Sequence, residues 1–411
     1  MTNVRRIVRI LYPADRVATP YLDVPFEVSD PTSSLEVRLE YDRSKGVIDL
    51  GCDGPAEWRG WSGGTKTGFV ITETEATCGY IPGTPELGEW SVVLGLHKIP
   101  AEGLEFHLLI STPAEHRVEP VPPAPPVSAV ERPSLKRRPF AAADGLPWFA
   151  GDFHAHTLHS DGALSIRALA AEAVSNGLDF LAVTDHNTVS HHRHLPGVSA
   201  EYGIALLPGQ EVTTARGHAN AFGSLPWIDF RRHPQTWVDS VEPAGGVLSI
   251  NHPVSRDCSW QWSLDRKPGH AEIMHSSWQS SATDTGIWAW WNAWGTASAI
   301  PLGGSDFHRP GEGVSVGTPT TWVAAEEASP ESILEGVKRG RTSLSMGGAR
   351  NGAVLLHVGD ELIAYDAEGA VFGDITGRRC IITSPRQTLK ADGNGPYRLE
   401  TADRSILAIT A

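Results

Sequence analysis

Between Phe149 and about Gly340, short apolar runs alternate with helical patterns, and polar clusters follow five of the runs. The clusters are His154-Ala155-His156 with Ser160-Asp161-Gly162, then Thr184-Asp185-His186-Asn187, Glu211, Asn251-His252-Pro253 and Asp306-Phe307-His308. Alternating β and α units imply a parallel sheet, open or closed into a barrel, whose strand carboxyl ends converge on one face. The five clusters are therefore expected to meet. Ser165 can cap a helix whose apolar positions Ile166, Leu169, Ala170, Ala173 and Val174 share one face, with Gly177 as its stop. Leu178 to Thr184, Ile204 to Leu207, Gly246 to Ile250, Ala271 to His275 and Ala299 to Gly303 read as strands. Helices are expected near Pro234 to Val241, Gly286 to Ala297 and Pro330 to Arg339.

The flanks differ from this middle. Residues 1–112 hold short β-branched and aromatic runs at Val4 to Leu11, Leu35 to Tyr41, Gly68 to Thr72, Trp90 to Leu96 and Leu104 to Ile110, which predicts an antiparallel sandwich. Residues 113–147 carry nine prolines and read as a semi-rigid connector. The alternating segment then takes 148–340, and 341–411 return to short strand-like runs, a β-rich terminal segment. The expected fold class is α/β, with an all-β domain in front and a small β-rich segment behind.

Histidine usage is the compositional anomaly: 13 of 17 histidines lie between His154 and His308, so that stretch demands imidazole. Imidazoles and carboxylates without thiolates suit Zn, Mn or Fe(II), and hard carboxylates can bridge two ions. In extended chain alternate side chains project to one side, so His154 and His156 can grip one ion, and Asp306 and His308 repeat that spacing. Two such pairs imply more than one ion. The four cysteines, Cys52, Cys78, Cys258 and Cys380, are scattered and form no CxxC pair, which fits reduced thiols.

A net charge of −14 disfavours nucleic acid as a partner. No window approaches the ~18 apolar residues of a membrane span, and Met1 to Leu11 has no apolar run or cleavage signal, so a soluble cytoplasmic protein is expected. The sequence leaves the oligomeric state open.

In order and residue type, His154-Ala155-His156, Ser160-Asp161-Gly162, Thr184-Asp185-His186, Glu211, Asn251-His252-Pro253 and Gly304-Ser305-Asp306-Phe307-His308 resemble the polymerase and histidinol phosphatase (PHP) family over about Asp152 to Arg341. Gly60-Trp61-Ser62-Gly63-Gly64, Gly79-Tyr80-Ile81-Pro82-Gly83 and Gly88-Glu89-Trp90 resemble the front domain of its carbaryl hydrolase-like branch. The resemblance implies a distorted seven-stranded (β/α) barrel holding two or three divalent ions, Mn, Zn or Fe. By the family pattern His154 and His156 bind the first ion with Glu211 and Asp306. Glu211 bridges to a second held by His218 and His252, and a third takes Asp161, His186 and His308.

Two ions a few ångströms apart lower the pKa of a bridging water and neutralise charge on a phosphoryl or acyl oxygen. The expected activity is metal-dependent hydrolysis of a small phosphoester by that hydroxide. The alternatives are carboxyl ester or carbamate hydrolysis, and a non-catalytic metal-stabilised binding module. Candidate catalytic helpers are His159 as a donor to the leaving oxygen, Arg309 or Arg216 as an anion grip, and His275 as a pocket residue. The run His191, His192, Arg193, His194 reads as a solvated loop. Seven tryptophans between Trp260 and Trp294 read as helix packing, or as an aromatic wall for a ring-bearing substrate.

Overall fold

A computed structural model describes residues 3–130, 138–277, 286–295 and 299–411. It contains two compact units. One comprises residues 1–122 together with 157–162 and 185–193; the other comprises 123–156, 163–184 and 194–411.

The first unit is built on two four-stranded antiparallel sheets. In one, Asn3–Leu11, Leu104–Thr112, Ser34–Tyr41 and Gly68–Thr72 pair in that order; in the other, Tyr21–Val28, Gly88–Lys98, Val47–Asp53 and Trp58–Gly63. Strand alternation sends Val24, Phe26 and Val28 inward with Leu35, Val37 and Leu39, so both inner faces share one apolar core. Tyr21–Val28, Val47–Asp53 and Trp58–Gly63 are strands that the periodicity reading did not find. Pro25 in the first, and glycines with tryptophans in the last, blur the alternation.

The second unit carries a mixed sheet in which Ile300–Gly304, His270–His275, Val247–Ile250, Gly217–Phe222, Ala205–Thr214, Phe180–Val183, Trp148–Asp152 and Thr320–Ala324 neighbour one another in that order. Trp148–Asp152, Phe180–Val183 and Ala205–Thr214 run parallel, as do Val247–Ile250, His270–His275 and Ile300–Gly304. Gly217–Phe222 breaks the expected all-parallel order. It folds back on Ala205–Thr214 through a tight turn at Ala215 and Arg216, with Gly217 at φ 117°. Thr320–Ala324 is likewise antiparallel to Trp148–Asp152. Its Thr321 hydroxyl also donates to Gly303 O at 2.9 Å and accepts from Gly303 N at 3.0 Å, tying it to the far end of the run.

Helices fill the crossovers. Ile166–Ser175 starts where Ser165 accepts the Ala168 N–H at 3.2 Å, and its buried face is the predicted one. Pro234–Val241, Gly286–Trp294 and Pro330–Lys338 follow, with Leu195–Tyr202 an addition that the sequence reading lacked. Part of the expected Gly286 to Ala297 helix lies outside the described residues. The proline-rich segment is not a bare spacer: Val127, Val130, Phe140 and Leu146 pack on the second unit's core. The C-terminal residues are all strand and turn, and Ile406–Thr410 joins the large sheet by pairing with Thr342–Ser345.

Candidate metal centre

The metal-ligand candidates of the second unit sit in or just beyond its strands, and these residues meet. His154 and His156 follow Trp148–Asp152, Glu211 lies within Ala205–Thr214, His218 opens Gly217–Phe222, His252 follows Val247–Ile250, and Asp306 and His308 follow Ile300–Gly304. His154 Nε2 lies 3.2 Å from Asp306 Oδ1 and 3.4 Å from Glu211 Oε1. His156 Nε2 lies 3.1 Å from Asp306 Oδ1 and 3.5 Å from Glu211 Oε2. His218 Nδ1 and His252 Nε2 approach Glu211 Oε1 at 3.1 and 3.4 Å. Two groupings follow, His154, His156 and Asp306 on one side and Glu211, His218 and His252 on the other, each compact enough to hold an ion. Glu211, facing both, has the position of a bridge.

Hydrogen bonds fix which ring nitrogens face inward. His154 donates Nδ1–H to Glu272 Oε1 at 3.1 Å, leaving its buried Nε2, which has no hydrogen-bond partner, aimed at two carboxylates. A nitrogen among carboxylate oxygens calls for a positive charge between them, a proton or an ion, and a set of imidazoles and carboxylates is one that fits a divalent ion. His308 donates Nδ1–H to the Asp306 carbonyl at 2.9 Å and keeps Nε2 as its acceptor nitrogen. His275 has the opposite tautomer. Its Nδ1 accepts the Ser277 N–H at 3.2 Å, so its Nε2 carries the proton and faces Asp306 Oδ2 at 3.3 Å. His275 is thus buried in the cluster beside Asp306, and with His154 and His252 it forms a further grouping compact enough to hold an ion.

The charges report the same field. Burial opposes the imidazolium at His154, yet Asp306, Glu211 and Glu272 raise it well above the ordinary value, and His252 rises for the same reason. Burial opposes the carboxylate at Asp306, yet His154, His156 and His275 hold it well below the usual range. The site attracts positive charge, whether protons or metal.

Within the first unit, Asp161 and His186 lie 3.5 Å apart. Their two segments are joined by Asp185, which accepts from Thr157 N at 2.8 Å, Thr157 Oγ1 at 2.7 Å and Ser160 Oγ at 2.6 Å. They are also bonded to the sandwich strands. Lys66 Nζ donates to Leu158 O and Ser160 O at 2.8 and 3.1 Å, Thr188 Oγ1 to Gly79 O at 2.8 Å, and Trp58 Nε1 to Asn187 O at 3.3 Å. Gly79 stands at φ 102°, and a Cβ there would sit 2.6 Å from Trp61 O and 2.7 Å from His159 O. His159 Nδ1 accepts the Gly79 N–H at 3.3 Å and contacts Ser190 Oγ at 2.7 Å, so Nε2 carries its proton.

Some readings need correction. His191 is fully buried, with Nδ1 3.4 Å from Asp185 Oδ2, not part of a solvated loop. Arg309 pairs with Glu312 at 3.2 Å, both half exposed, while Arg216 donates to Gln261 O and lies over the Trp262 ring at 4.0 Å. Trp291 is core and donates to Ala299 O, and Trp288 stacks on it, which is the packing alternative; Trp278 lies outside the described residues. Glu272 and Asp152 were given no role from the sequence, and Asn251 was noted only as a member of its cluster. Asn251 donates to Glu211 Oε1 at 2.9 Å, and Asp152 accepts the N–H groups of His154, Ser305 and Gly317. In sequence these three look like any strand or loop polar residue; Glu272 inside an apolar strand was the available signal.

Residues 152–259 match the model of the PHP domain family. An uncharacterized protein of Methanocaldococcus jannaschii is 25% identical over 118 residues, 26% of this chain and 69% of that protein. A 5'-3' exoribonuclease of Haemophilus influenzae is 36% identical over 63 residues, 15% of this chain and only 23% of that enzyme. Among solved structures, a two-domain protein of Bacteroides vulgatus containing a predicted PHP-like metal-dependent phosphoesterase aligns with TM-score 0.40 and 18% identity, covering 68% of this chain and 91% of that one.

Proposed function

We propose that this protein is a metal-dependent hydrolase of small phosphoesters, with its centre on His154, His156, Glu211, His218, His252 and Asp306. The observation that carries this reading is the buried His154 Nε2, without a hydrogen-bond partner and pointed at Asp306 and Glu211, with its other nitrogen given to Glu272. Divalent ions held there would supply a hydroxide nucleophile at neutral pH and offset charge on a phosphoryl oxygen. The strand run from Ile300–Gly304 round to Thr320–Ala324, tied at its ends by Thr321, supports a distorted barrel as its architecture.

Carbamate or carboxyl ester hydrolysis is the second reading. It is favoured by one observation: Gly79, in a motif that resembles the carbaryl hydrolase-like branch, contacts His159 itself. The deciding experiment is turnover of an aryl phosphate monoester and diester beside an aryl acetate and an aryl methylcarbamate, with Mn and with a chelator. Chelator-sensitive release from the phosphates alone upholds the first reading, and release from the acyl substrates alone replaces it with the second. Chelator-insensitive release, or full activity in His154→Ala, would sink both.

A further inference from the structure

Glu272 stands inside the His270–His275 strand, 3% exposed, where β alternation alone would put an apolar side chain. A carboxylate buried there without bonds would be costly, and its two oxygens are both used. Oε1 accepts Nδ1–H of His154 at 3.1 Å, and Oε2 accepts the backbone N–H of His252 at 2.8 Å. His252 needs such an anchor, because its φ of 24° lies in the left-handed region that non-glycine residues seldom occupy. Gly304, on the neighbouring strand, makes the room: a Cβ there would lie 2.4 Å from both Glu272 Oε1 and His154 Cβ.

We propose that Glu272 is a positioning residue that couples the two halves of the metal centre, setting the tautomer of His154 on one side and the backbone of His252 on the other. This rests on the metal reading above and extends it to a residue that touches neither ion. A carboxylate behind a ligating imidazole fixes ring orientation and raises its basicity, and losing one typically weakens metal affinity by about 10- to 100-fold. One carboxylate serving two ligands makes the loss felt at both. Glutamine has the same size but offers one acceptor oxygen and one donor nitrogen. E272Q therefore keeps one of the two bonds and sets a donor against a donor at the other.

The test is a calorimetric Zn titration of the full-length wild type and E272Q, together with 15N NMR of the histidine rings in the Zn-loaded wild type. Expected are weaker binding in E272Q by about 10- to 100-fold, and a His154 ring protonated on Nδ1. A purely packing role would leave the isosteric variant at wild-type affinity, and affinity within about threefold of wild type would overturn the proposal. So would a His154 proton on Nε2, a measurement that stands even if E272Q fails to fold. A wild type that binds no Zn would remove the metal reading and this inference together. A silent substrate screen with Zn bound would touch only the reaction.

Discussion

Metal binding at this centre should release protons, and the pH dependence measures how strongly the carboxylates hold them. His154 and His252 both sit above the ordinary imidazole value because, against the cost of burial, Asp306, Glu211 and Glu272 favour their charged forms. Asp306 and Glu272 lie below the ordinary carboxylate value and are already ionised, so they contribute no proton. An ion bound through either histidine must displace its proton at any pH below the raised value. Each displaced proton makes apparent affinity rise tenfold per pH unit, about 1.4 kcal/mol. With an unperturbed pKa of about 6.5, the rise between pH 5.5 and 7.5 is only about tenfold, because the slope fades midway. The further a ligand's pKa is raised, the closer the rise comes to about 100-fold for the proton it gives up, and His154 is the histidine raised most strongly. Zn titrations at several pH values, each in two buffers of different ionisation enthalpy, give both affinity and protons released. A rise of tenfold or less over that range, with fewer than half a proton released per ion, would refute the electrostatic account of the site.

Asp306→Ala, which removes a carboxylate shared by His154, His156 and His275, is expected to lower turnover by at least about 10³-fold with an unchanged far-UV spectrum; activity near wild type would exclude Asp306 from the centre. Gly79→Ala should cost about 1–3 kcal/mol in urea unfolding, since alanine cannot occupy φ 102° without meeting Trp61 O and His159 O. Lys66→Met removes two charge-assisted bonds to the segment carrying His159 and Asp161, and should lower both stability, by about 1–3 kcal/mol, and kcat. His270 is buried and pushed down to about 4. It is neutral in the fold, so its contribution is present above pH 6.5 and is lost as pH falls towards 4, by up to about 3 kcal/mol. His270→Phe should flatten that part of the stability profile.

The sequence showed its fold wherever side-chain period and local geometry agree. Ser165 with the 3.6-residue apolar spacing after it located the Ile166–Ser175 helix, because a capped amphipathic helix is specified within its own residues. Tyr21–Val28 and Trp58–Gly63 escaped, since Pro25 and four bulky or permissive residues in six hide the alternation that only the partner strand makes sense of. The hairpin at Ala215 and Arg216 was missed for a related reason: without a preceding glycine or asparagine at the turn itself, only the positive φ of Gly217 and the pairing with Val247–Ile250 identify its second strand.

The candidate ligands were legible because metal chemistry restricts residue type and strand ends restrict position, so His154, His156, Glu211, His252 and Asp306 stood out by both. What surrounds them was not. Glu272 and His275 come from the same strand, three residues apart, and do different things: one accepts the Nδ1–H of His154, and the other has its Nδ1 taken by the Ser277 N–H and its Nε2 3.3 Å from Asp306 Oδ2. Nothing in a run of letters sets a tautomer; that is decided by which backbone or hydroxyl group reaches the far nitrogen, Ser277 N for His275 and Glu272 itself for His154. The same holds for His159, whose donor nitrogen is defined by the Gly79 N–H eighty residues earlier in the chain. Residue identity therefore specifies which groups can bind an ion, while the hydrogen bonds around them specify which lone pairs are presented. In this protein those bonds converge on Glu211 and Asp306.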